Sequence, residues 1–426
     1  MRGGLWKRQP LQTSFGSPSI PIPKGFSTRF LPCGIRKPGD LVCPPFPARF
    51  LICKHYRRAV SSNRAVREPK GSAGRKSRDW TQPLSDIVSV ASSRDRGEMD
   101  PVLLEIKNLK KHFPLKRSPF SRIRGSINAL DGVNLEIGQG EMLGLVGESG
   151  CGKSTLGKLI LRLIEPTEGE VFFEGEEIFK LDKEALRRLR PKMQIVFQDP
   201  YSSLNPRMKV GDIVAEGIVI QNGEQKEQRH EIVARLLERV GVSPQVMDRY
   251  PHEFSGGQRQ RIGIARAIIS DPKFVVADEP VSALDVSIQA QVLNLLMDLQ
   301  EEYRLACLFI AHDLRVVGFL SDRVAIMYLG RIVELAESHE IYLHPLHPYT
   351  EALISAIPLP VVGDIGRRIL LEGDPPSPTD RYLGCRFFSR CRWRTPLCVK
   401  EDPTLREVSP GHFVACQLHA HRAGEN

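Results

Sequence analysis

Short apolar segments alternate with amphipathic segments through the middle of this chain. Apolar strands are predicted over residues 102–106, 129–137, 141–146, 170–173, 193–197, 274–277 and 307–311. Helices are predicted where apolar residues recur three or four positions apart, over 154–164, 228–240 and 288–299. Strands this short and apolar that alternate with helices predict an α/β fold with a mostly parallel, buried sheet.

The first 98 residues differ from the rest in composition and charge. They carry 19 Lys and Arg against 6 Asp and Glu, a net charge of +13, and are rich in Pro and Ser. A disordered basic tail is expected there, with a transit peptide, or a translated leader before a true start at Met99, as the alternatives. The other 328 residues have a net charge of −3, so the overall +10 does not imply a nucleic-acid partner.

A glycine-rich turn lies between the strand that ends at residue 146 and the next predicted helix. It reads Gly147-Glu148-Ser149-Gly150-Cys151-Gly152-Lys153-Ser154, which fits the phosphate-binding pattern G-x-x-x-x-G-K-[ST]. Backbone N–H groups and the helix N-terminus would hold the phosphates, with Thr155 as the next residue of the site. Lys153 is expected to reach the β- and γ-phosphates and Ser154 to ligate Mg²⁺, whereas Cys151 is expected to be a small filler.

Two later strands end in residues suited to nucleotide hydrolysis. An apolar strand over 274–277 is followed by Asp278 and Glu279. Asp278 suits a water-mediated contact to Mg²⁺, and Glu279 suits a base that orients the attacking water. His312 follows the next strand, where it would reach a γ-phosphate. The alternatives are a plain acidic strand exit and a structural histidine.

The most specific motif precedes a helix predicted over 258–269. It reads Phe254-Ser255-Gly256-Gly257-Gln258-Arg259-Gln260-Arg261 and resembles the signature of ATP-binding-cassette (ABC) ATPases, with Phe254 in place of the usual Leu. Three further motifs stand in the family order: Gln198 resembles the Q-loop glutamine, Ser282-Ala283-Leu284-Asp285 the D-loop, and His312 the switch histidine. The resemblance covers about residues 102–335.

This resemblance implies a P-loop NTPase cassette over residues 99–340, with a helical subdomain at about 200–265. It implies ATP and Mg²⁺ as cofactors, with Gln198 and Asp278 near Ser154 at the metal. Catalysis would fall to Glu279, His312 and Gln198. The residues that it adds to nucleotide binding are Phe113, which would stack on adenine, and Ser255, Gly256, Gly257, Gln258 and Asp285, which would complete the site of a second cassette.

Finer features resemble the ATPases of peptide importers. They lie at 196–207, 278–282 and 344–350, the last within a small C-terminal extension over 341–426. In such importers two different ATPases pair beneath two transmembrane permease subunits, and this chain looks most like the second, F-type ATPase. The resemblance therefore implies an ATPase for oligopeptide or dipeptide import, peripheral at the cytoplasmic face of the cell (inner) membrane and served indirectly by a substrate-binding protein.

Other functions remain as alternatives at this point. A related nickel or opine importer would carry the same motifs. A soluble cassette ATPase without a transport role usually has tandem cassettes or long coiled-coil insertions. It is disfavoured because this sequence has one phosphate loop, lacks a long heptad run and has a near-neutral charge after residue 98. A P-loop kinase has no place for the Ser255-Gly256-Gly257-Gln258 element. The sequence contains no uninterrupted apolar run of about 18 residues, so no membrane-spanning helix is predicted.

Four cysteines stand in the last 42 residues. Cys385, Cys391, Cys398 and Cys416 are spaced C-x5-C-x6-C-x17-C among several arginines. Four thiolates suit an iron–sulfur or zinc site, although the spacing fits neither ferredoxin pattern. Some importers of this subfamily carry a 4Fe-4S cluster on a similar pattern, so that cluster is predicted, with Zn²⁺ or free thiols as alternatives. A further metal site at His344 and His347 is a weaker alternative to turn chemistry.

Overall fold

The fold is taken from a computed structural model. It describes residues 101–114, 126–222, 226–357, 368–377, 379 and 383–419. The predicted basic tail, residues 1–98, lies outside the described residues.

The described residues form strands and α-helices from residue 102 to residue 414. The strands are β1 (Val102–Pro114), β2 (Ser126–Gly138), β3 (Met142–Val146), β4 (Glu168–Phe173), β5 (Glu176–Glu177), β6 (Met193–Val196), β7 (Phe274–Asp278), β8 (Ala306–Ala311), β9 (Arg323–Tyr328), β10 (Arg331–Glu337), β11 (Arg406–Ser409) and β12 (His412–Val414). The α-helices are α1 (Lys153–Ile160), α2 (Lys183–Leu189), α3 (Val210–Asn222), α4 (Lys226–Arg239), α5 (Gly256–Ile268), α6 (Val286–Tyr303), α7 (Leu314–Leu320), α8 (Ser338–Leu343), α9 (Pro348–Ser355) and α10 (Leu397–Lys400).

The larger of two sheets has eight strands in the order β11-β12-β10-β9-β3-β8-β7-β6. The five strands from β9 to β6 are parallel, as the apolar runs predicted. The edge formed by β10, β12 and β11 is antiparallel. The sheet is therefore mixed, and strands of the predicted C-terminal extension continue the sheet of the cassette.

A second sheet is wholly antiparallel, in the order β2-β1-β4-β5, and was not predicted as a separate sheet. Its β4–β5 hairpin turns at Glu174 and Gly175, both with positive φ, as the Glu-Gly pair indicated. β1 also runs on to residue 114, well past the predicted 102–106. Alternation along β1 and β2 buries one face of this sheet.

The two faces of the parallel strands belong to two different apolar cores. Along β7, Val275 and Ala277 pack in the core that holds helices α3 to α6. Phe274 and Val276 point the other way, into the core that holds α1 and the antiparallel sheet. Because successive strand residues alternate in direction, one five-residue apolar strand joins both cores, and its last residue, Asp278, emerges at their common edge.

Helix α1 ends four residues earlier than the prediction of 154–164. Arg162 adopts a left-handed conformation with φ of 47°. The Leu163 N–H donates to the Lys158 carbonyl at 2.8 Å, and the Arg162 N–H donates to the Leu159 carbonyl at 2.8 Å. These two bonds form a Schellman motif. The Arg162 guanidinium offsets the backbone cost, since it donates to the carbonyls of Ile178 and Leu181.

Helices α3, α4 and α5 lie between β6 and β7 in sequence and pack against one another. Gly241 ends the α4 region with φ of 76°, as its position predicted, and the Val242 N–H donates to the Leu237 carbonyl at 2.8 Å. The division of the cassette into a sheet region and a helical subdomain at about 200–265 remains a prediction. Within the described ranges, no helix combines the length and apolar character needed to cross a bilayer.

Candidate nucleotide site

The glycine-rich turn joins β3 to α1, as predicted. Gly152 is the N-cap of α1 with φ of 111°, and a Cβ at this position would lie 2.4 Å from the Ala129 carbonyl oxygen. A Cβ on Gly147 would lie 2.1 Å from the Met327 carbonyl oxygen. The loop is therefore pressed against two neighbouring backbones, and only glycine fits at these two positions.

Lys153 is buried inside this loop. Its ammonium donates to the carbonyl oxygens of Gly147 at 2.7 Å and Glu148 at 3.0 Å. Cys151 is buried beside it, with its sulfur 3.8 Å from the ammonium, and burial raises the pKa of the thiol. The thiol is therefore neutral, which agrees with a filler role. The lysine charge is held by backbone carbonyls, which phosphate oxygens can replace.

Ser154, in the first turn of α1, contacts Asp278, the last residue of β7. The Ser154 hydroxyl donates to Asp278 Oδ1 at 2.8 Å. Asp278 is buried, and this burial raises the pKa of its carboxyl group. A hydroxyl oxygen and a buried carboxylate at the end of a strand are hard oxygen donors of the kind that Mg²⁺ prefers. The chemistry of this donor set therefore fits the predicted metal.

Glu279, Gln198 and His312 come together next to this pair. Gln198 Nε2 donates to Glu279 Oε2 at 2.9 Å, and His312 Nδ1 lies 3.4 Å from the same oxygen. Glu279 has a φ of 44°, a strained conformation for a non-glycine residue, and its N–H donates to the Ile310 carbonyl at 3.0 Å. The strand-end turn thus aims the carboxylate toward the glutamine and the histidine.

The signature motif forms the start of α5. Ser255 is the N-cap, its hydroxyl accepts from the Gln258 N–H at 3.4 Å, and the Gln258 side-chain oxygen accepts from the Ser255 N–H at 3.1 Å. This capping box uses the side chain of Gln258 within the helix. Gly257 faces α6, because a Cβ there would lie 2.4 Å from Ile288 Cγ2, whereas one on Gly256 would make ordinary contact with Leu284.

The same helix holds the segment that follows Gln198. Arg266 donates to the Ser203 carbonyl at 2.6 Å and lies 5.7 Å from the centre of the Phe197 ring. Arg259 stacks 4.0 Å above the ring of Tyr201, which is itself largely exposed. Two arginines of α5 therefore hold the residues on both sides of Gln198.

Asp285 and Phe113 lie at exposed positions away from these contacts. Asp285 is the N-cap of α6 and makes no side-chain capping bond, while Val286 beside it is 81% exposed. Phe113 lies near the end of β1, pairs with Ile127 of β2 and has the Lys111 ammonium 4.9 Å from its ring centre. Their predicted roles stay predictions.

Contacts from the C-terminal part of the chain reach the phosphate loop and were not predicted. The Tyr349 hydroxyl accepts the Glu148 N–H at 2.9 Å. Arg390 Nη1 lies 3.0 Å from both carboxylate oxygens of Glu148. Arg386 donates to Asp131 and to the carbonyl of Leu329. The presence of several arginines among the cysteines was visible in the sequence, but not their partners.

The four C-terminal cysteines lie in one neighbourhood as free thiols. Cys385 interacts electrostatically with the other three, and its N–H donates to the Cys398 carbonyl at 2.8 Å. Burial raises the pKa of Cys385 to about 12 and that of Cys416 to about 11. Among the described residues, however, no group of three or more His, Cys, Asp or Glu could hold a metal ion. This geometry does not support the predicted 4Fe-4S cluster.

The same finding leaves the alternative histidine site without support. His347 is buried, and its Nδ1 accepts the Tyr349 N–H at 3.0 Å as the N-cap of α9. Burial lowers the pKa of His347 to about 4. His344 instead contacts Glu340 at 3.1 Å on the exposed side of α8. The two histidines therefore have separate structural roles.

A phosphate loop, an acidic strand end and a glycine-containing signature helix on one mixed sheet define an ATP-binding cassette. The family model described as ABC transporter matches residues 130–282, and the model described as oligopeptide/dipeptide transporter, C-terminal region, matches residues 333–398. The chain belongs to the ABC transporter ATPases that carry this C-terminal region.

Relatives and solved structures agree with this family. The oligopeptide transport ATP-binding protein AppF of Bacillus subtilis is 51% identical over 321 residues, which are 75% of this chain and 98% of the relative. A putative peptide import ATP-binding protein of Brucella ovis is 51% identical over 314 residues, 74% of this chain and 97% of the relative. The solved dimeric ATP-binding cassette in a post-hydrolysis state, bound to ADP and Pi, has a TM-score of 0.50 and 29% identity, and the match covers 55% of this chain and 99% of that one.

Proposed function

We propose that this chain is the ATP-hydrolysing subunit that energises the import of oligopeptides or dipeptides. One observation carries the proposal. The phosphate loop meets Asp278, Glu279 and His312 at one sheet edge, in a chain that also contains the oligopeptide/dipeptide transporter C-terminal region. Two relatives that match over 97–98% of their own length are named for oligopeptide transport and peptide import.

ATP would occupy the loop by replacing the internal bonds of Lys153. The ammonium would exchange the carbonyls of Gly147 and Glu148 for β- and γ-phosphate oxygens. Ser154, Asp278 and Gln198 are the residues that would hold Mg²⁺, which neutralises charge on the transferred phosphate when bound. The remaining loop residues, Ser149, Gly150 and Thr155, would complete the cradle, and Phe113 would stack on the adenine.

Glu279 is the proposed base for the attacking water. Its carboxylate is the shared partner of Gln198 and His312, so both residues can orient it. A base of this kind contributes about 10²–10⁴ in rate. His312, whose side chain is largely exposed, would turn toward the γ-phosphate once the site is closed.

A second cassette would complete each site. The N–H groups of Gly256 and Gly257 at the start of α5, together with the Ser255 hydroxyl, offer an anion site that would face the partner's γ-phosphate. The exposed Val286 next to Asp285 gives this side an apolar contact for a partner. A solved cassette to which this chain is similar is described as a dimer. We propose a heterodimer with a different ATPase, beneath two permease subunits at the cytoplasmic face of the inner membrane.

We further propose that the four cysteines bind a metal centre, a 4Fe-4S cluster in preference to Zn²⁺. Their shared neighbourhood supports this, and the backbone groups of Phe387, Trp393 and Leu418 act to lower the pKa of Cys385, Cys391 and Cys416, against the effect of burial. Metal binding would require loss of the thiol protons and a closer approach of the sulfurs. The role would be structural, since the metal centre would cross-link a short segment and stabilise its fold.

Affinity capture of the full chain from detergent-solubilised membranes tests the transport role. We expect two multispan membrane proteins and a second cassette ATPase to co-purify, identified by mass spectrometry. Recovery of the chain alone, or with ribosomes or nucleic acid, would contradict the proposal. Uptake of a labelled peptide by a strain that lacks the chain, compared with uptake of nickel by the same strain, separates peptide import from nickel import.

Anaerobic purification tests the metal centre. The protein should be brown, with broad absorption near ~400 nm, as expected for thiolate-ligated iron–sulfur centres. Replacement of any one of the four cysteines by Ser should remove the colour, whereas Cys307→Ser, at a buried site in β8, should not. Colourless protein with one equivalent of zinc would establish Zn²⁺ instead. Four freely alkylated thiols in the native protein would rule out both.

A further inference from the structure

The four-cysteine segment, residues 383–419, makes a direct charged contact with the phosphate loop. Arg390, which directly precedes Cys391, places one nitrogen 3.0 Å from both carboxylate oxygens of Glu148. Glu148 is the second residue of the loop, and its own N–H donates to the Tyr349 hydroxyl. Both the backbone and the side chain of one phosphate-loop residue are thus held by the C-terminal part of the chain.

Arg390 is fixed from several sides. Its side chain is only 8% exposed, and Nη1 lies 3.5 Å from the Tyr328 hydroxyl. Phe387, three residues earlier, packs with its ring centre 5.3 Å from that of Tyr328 and 5.5 Å from that of Tyr349. The aromatic cluster therefore determines where the guanidinium lies, and the guanidinium in turn determines where the Glu148 carboxylate lies.

The charge balance of the loop gives this contact a consequence for ligand binding. The loop offers one cation, Lys153, which also donates to the Glu148 carbonyl at 3.0 Å. The Glu148 carboxylate adds a negative charge to a site that has to accept a polyanion. At short distance in a partly desolvated site, an unpaired carboxylate would repel phosphates substantially. Arg390 neutralises this carboxylate and holds it in place.

We infer that Arg390 is a positioning residue for ATP binding, through which the four-cysteine segment sets the nucleotide affinity of the phosphate loop. The inference rests on the proposed function in that the loop must bind ATP. It assigns the C-terminal segment a second role besides folding. An ordered segment keeps the loop carboxylate paired, and a disordered one leaves it unpaired beside the phosphates.

Calorimetric titration of the full chain with ATP and with ADP tests this inference. Arg390→Ala should raise the dissociation constant for ATP about tenfold, because the unpaired Glu148 carboxylate would then repel the phosphates. The loss should be smaller for ADP, which carries less charge, and should shrink in high salt. Arg390→Lys, which keeps the cation, should recover most of the affinity. Arg392→Ala is the matched control, since Arg392 lies two residues away and contacts Glu351 at 2.5 Å instead.

A double-mutant cycle separates neutralisation from simple support of the fold. In a Glu148→Gln background, Arg390→Ala should change the dissociation constant for ATP less than twofold, because no carboxylate is left to neutralise. The inference would be overturned if Arg390→Ala weakened ATP binding equally in both backgrounds, or if it had no effect in the chain that retains Glu148. Thiol accessibility of the four cysteines, measured in each variant, shows whether the segment is still folded.

Alkylation of the cysteines tests the link to the segment as a whole. In a chain that also carries Cys151→Ala, which removes the thiol of the phosphate loop itself, modification under conditions that expose all four thiols should weaken ATP binding about as much as Arg390→Ala does. The same treatment should have little effect when the Glu148→Gln, Arg390→Ala pair is added to this chain. If alkylation weakens both proteins equally, the segment does not act through this contact. A wild-type chain that bound no ATP at all would refute the proposed function itself.

Discussion

Charged groups are arranged differently at the nucleotide edge and in the C-terminal segment. At the nucleotide edge, the His312 side chain is 60% exposed and lies 3.4 Å from the carboxylate of Glu279, which is mostly buried. Where β10 meets the C-terminal part of the chain, Glu334 of β10 is fully buried, and its carboxylate accepts from the N–H groups of Leu346 and His347 and contacts His412 Nε2 at 2.8 Å. The nucleotide edge thus leaves a side chain exposed for a ligand, whereas the Glu334 carboxylate is fully paired inside the fold.

The largest effect is expected from Glu279→Gln. This substitution keeps the shape and removes the base, so ATP hydrolysis by the assembled transporter should fall ~10²–10⁴-fold while ATP binding and unfolding free energy stay near wild type. Phosphate release, calorimetric titration with ATP and equilibrium denaturation measure the three quantities. Glu301→Gln on α6 is the control. A near-normal rate would remove Glu279 from the mechanism, and a large loss of stability would abolish the contrast with the C-terminal segment.

Arg386→Ala should lower the unfolding free energy, the quantity that Glu279→Gln leaves near wild type. Arg386 is buried and pairs with Asp131 of the antiparallel sheet, and it also donates to the Leu329 carbonyl. Its removal leaves Arg331, 3.1 Å away, as the remaining partner of Asp131, and should cost about 2 kcal/mol of unfolding free energy. Urea denaturation measures the cost, and hydrogen exchange should localise it to residues 383–419. Arg392→Ala, at an exposed position, should cost less than about 1 kcal/mol. Equal costs for both variants would contradict a buried structural pair.

Histidine 347 makes the C-terminal part sensitive to acid. Burial lowers its pKa from 6.5 to about 4, so the unfolded chain takes up a proton before the folded chain does as pH falls. Stability is therefore lost between pH 6.5 and about 4, by about 2 kcal/mol at pH 5. His347→Asn keeps a capping oxygen for the Tyr349 N–H but does not titrate. Its unfolding free energy should change less between pH 7.5 and 5 than that of wild type. Identical pH dependence would exclude this contribution.

The smallest effects concern two neighbouring glycines of the signature. Gly257→Ala forces a Cβ to within 2.4 Å of Ile288 Cγ2. Overpacking of this kind costs about 1–3 kcal/mol, and the gain in helix propensity offsets about 1 kcal/mol of that cost. The net loss should be about 1 kcal/mol in urea denaturation. Gly256→Ala meets only ordinary contact with Leu284 and should be neutral for stability, yet it should impair ATP-driven pairing with the second cassette, measured by gel filtration.

The nucleotide edge was predictable because its residues are tied to short, local patterns. A glycine-rich turn after an apolar strand fixes the place of Lys153, and parallel strands bring their carboxyl ends together, so Asp278 and Glu279 were expected beside it. The contact between Gln198 and Glu279 joins residues 81 positions apart, and only the family resemblance suggested it.

The contacts of the C-terminal segment were not predictable in the same way. Arg390 and Glu148 are separated by 242 positions, and an arginine near cysteines has no pattern that specifies its partner. The early end of α1 depends on a left-handed arginine, which propensity disfavours and which two carbonyl contacts make possible. The antiparallel sheet was missed because the surface strands β1 and β2 are irregular, with several register shifts.

The pairing of β10 with β12 has a consequence for synthesis of the chain. Glu334 and Leu335 pair with Val414 and Phe413, about 80 residues later. At ~5–20 residues per second, the ribosome needs about 4–16 s to deliver the strand that covers β10. During that time an apolar strand edge is open to any other extended chain nearby. The nascent cassette is therefore exposed to misassembly in the interval between synthesis of β10 and synthesis of β12, and a shielding chaperone would act then.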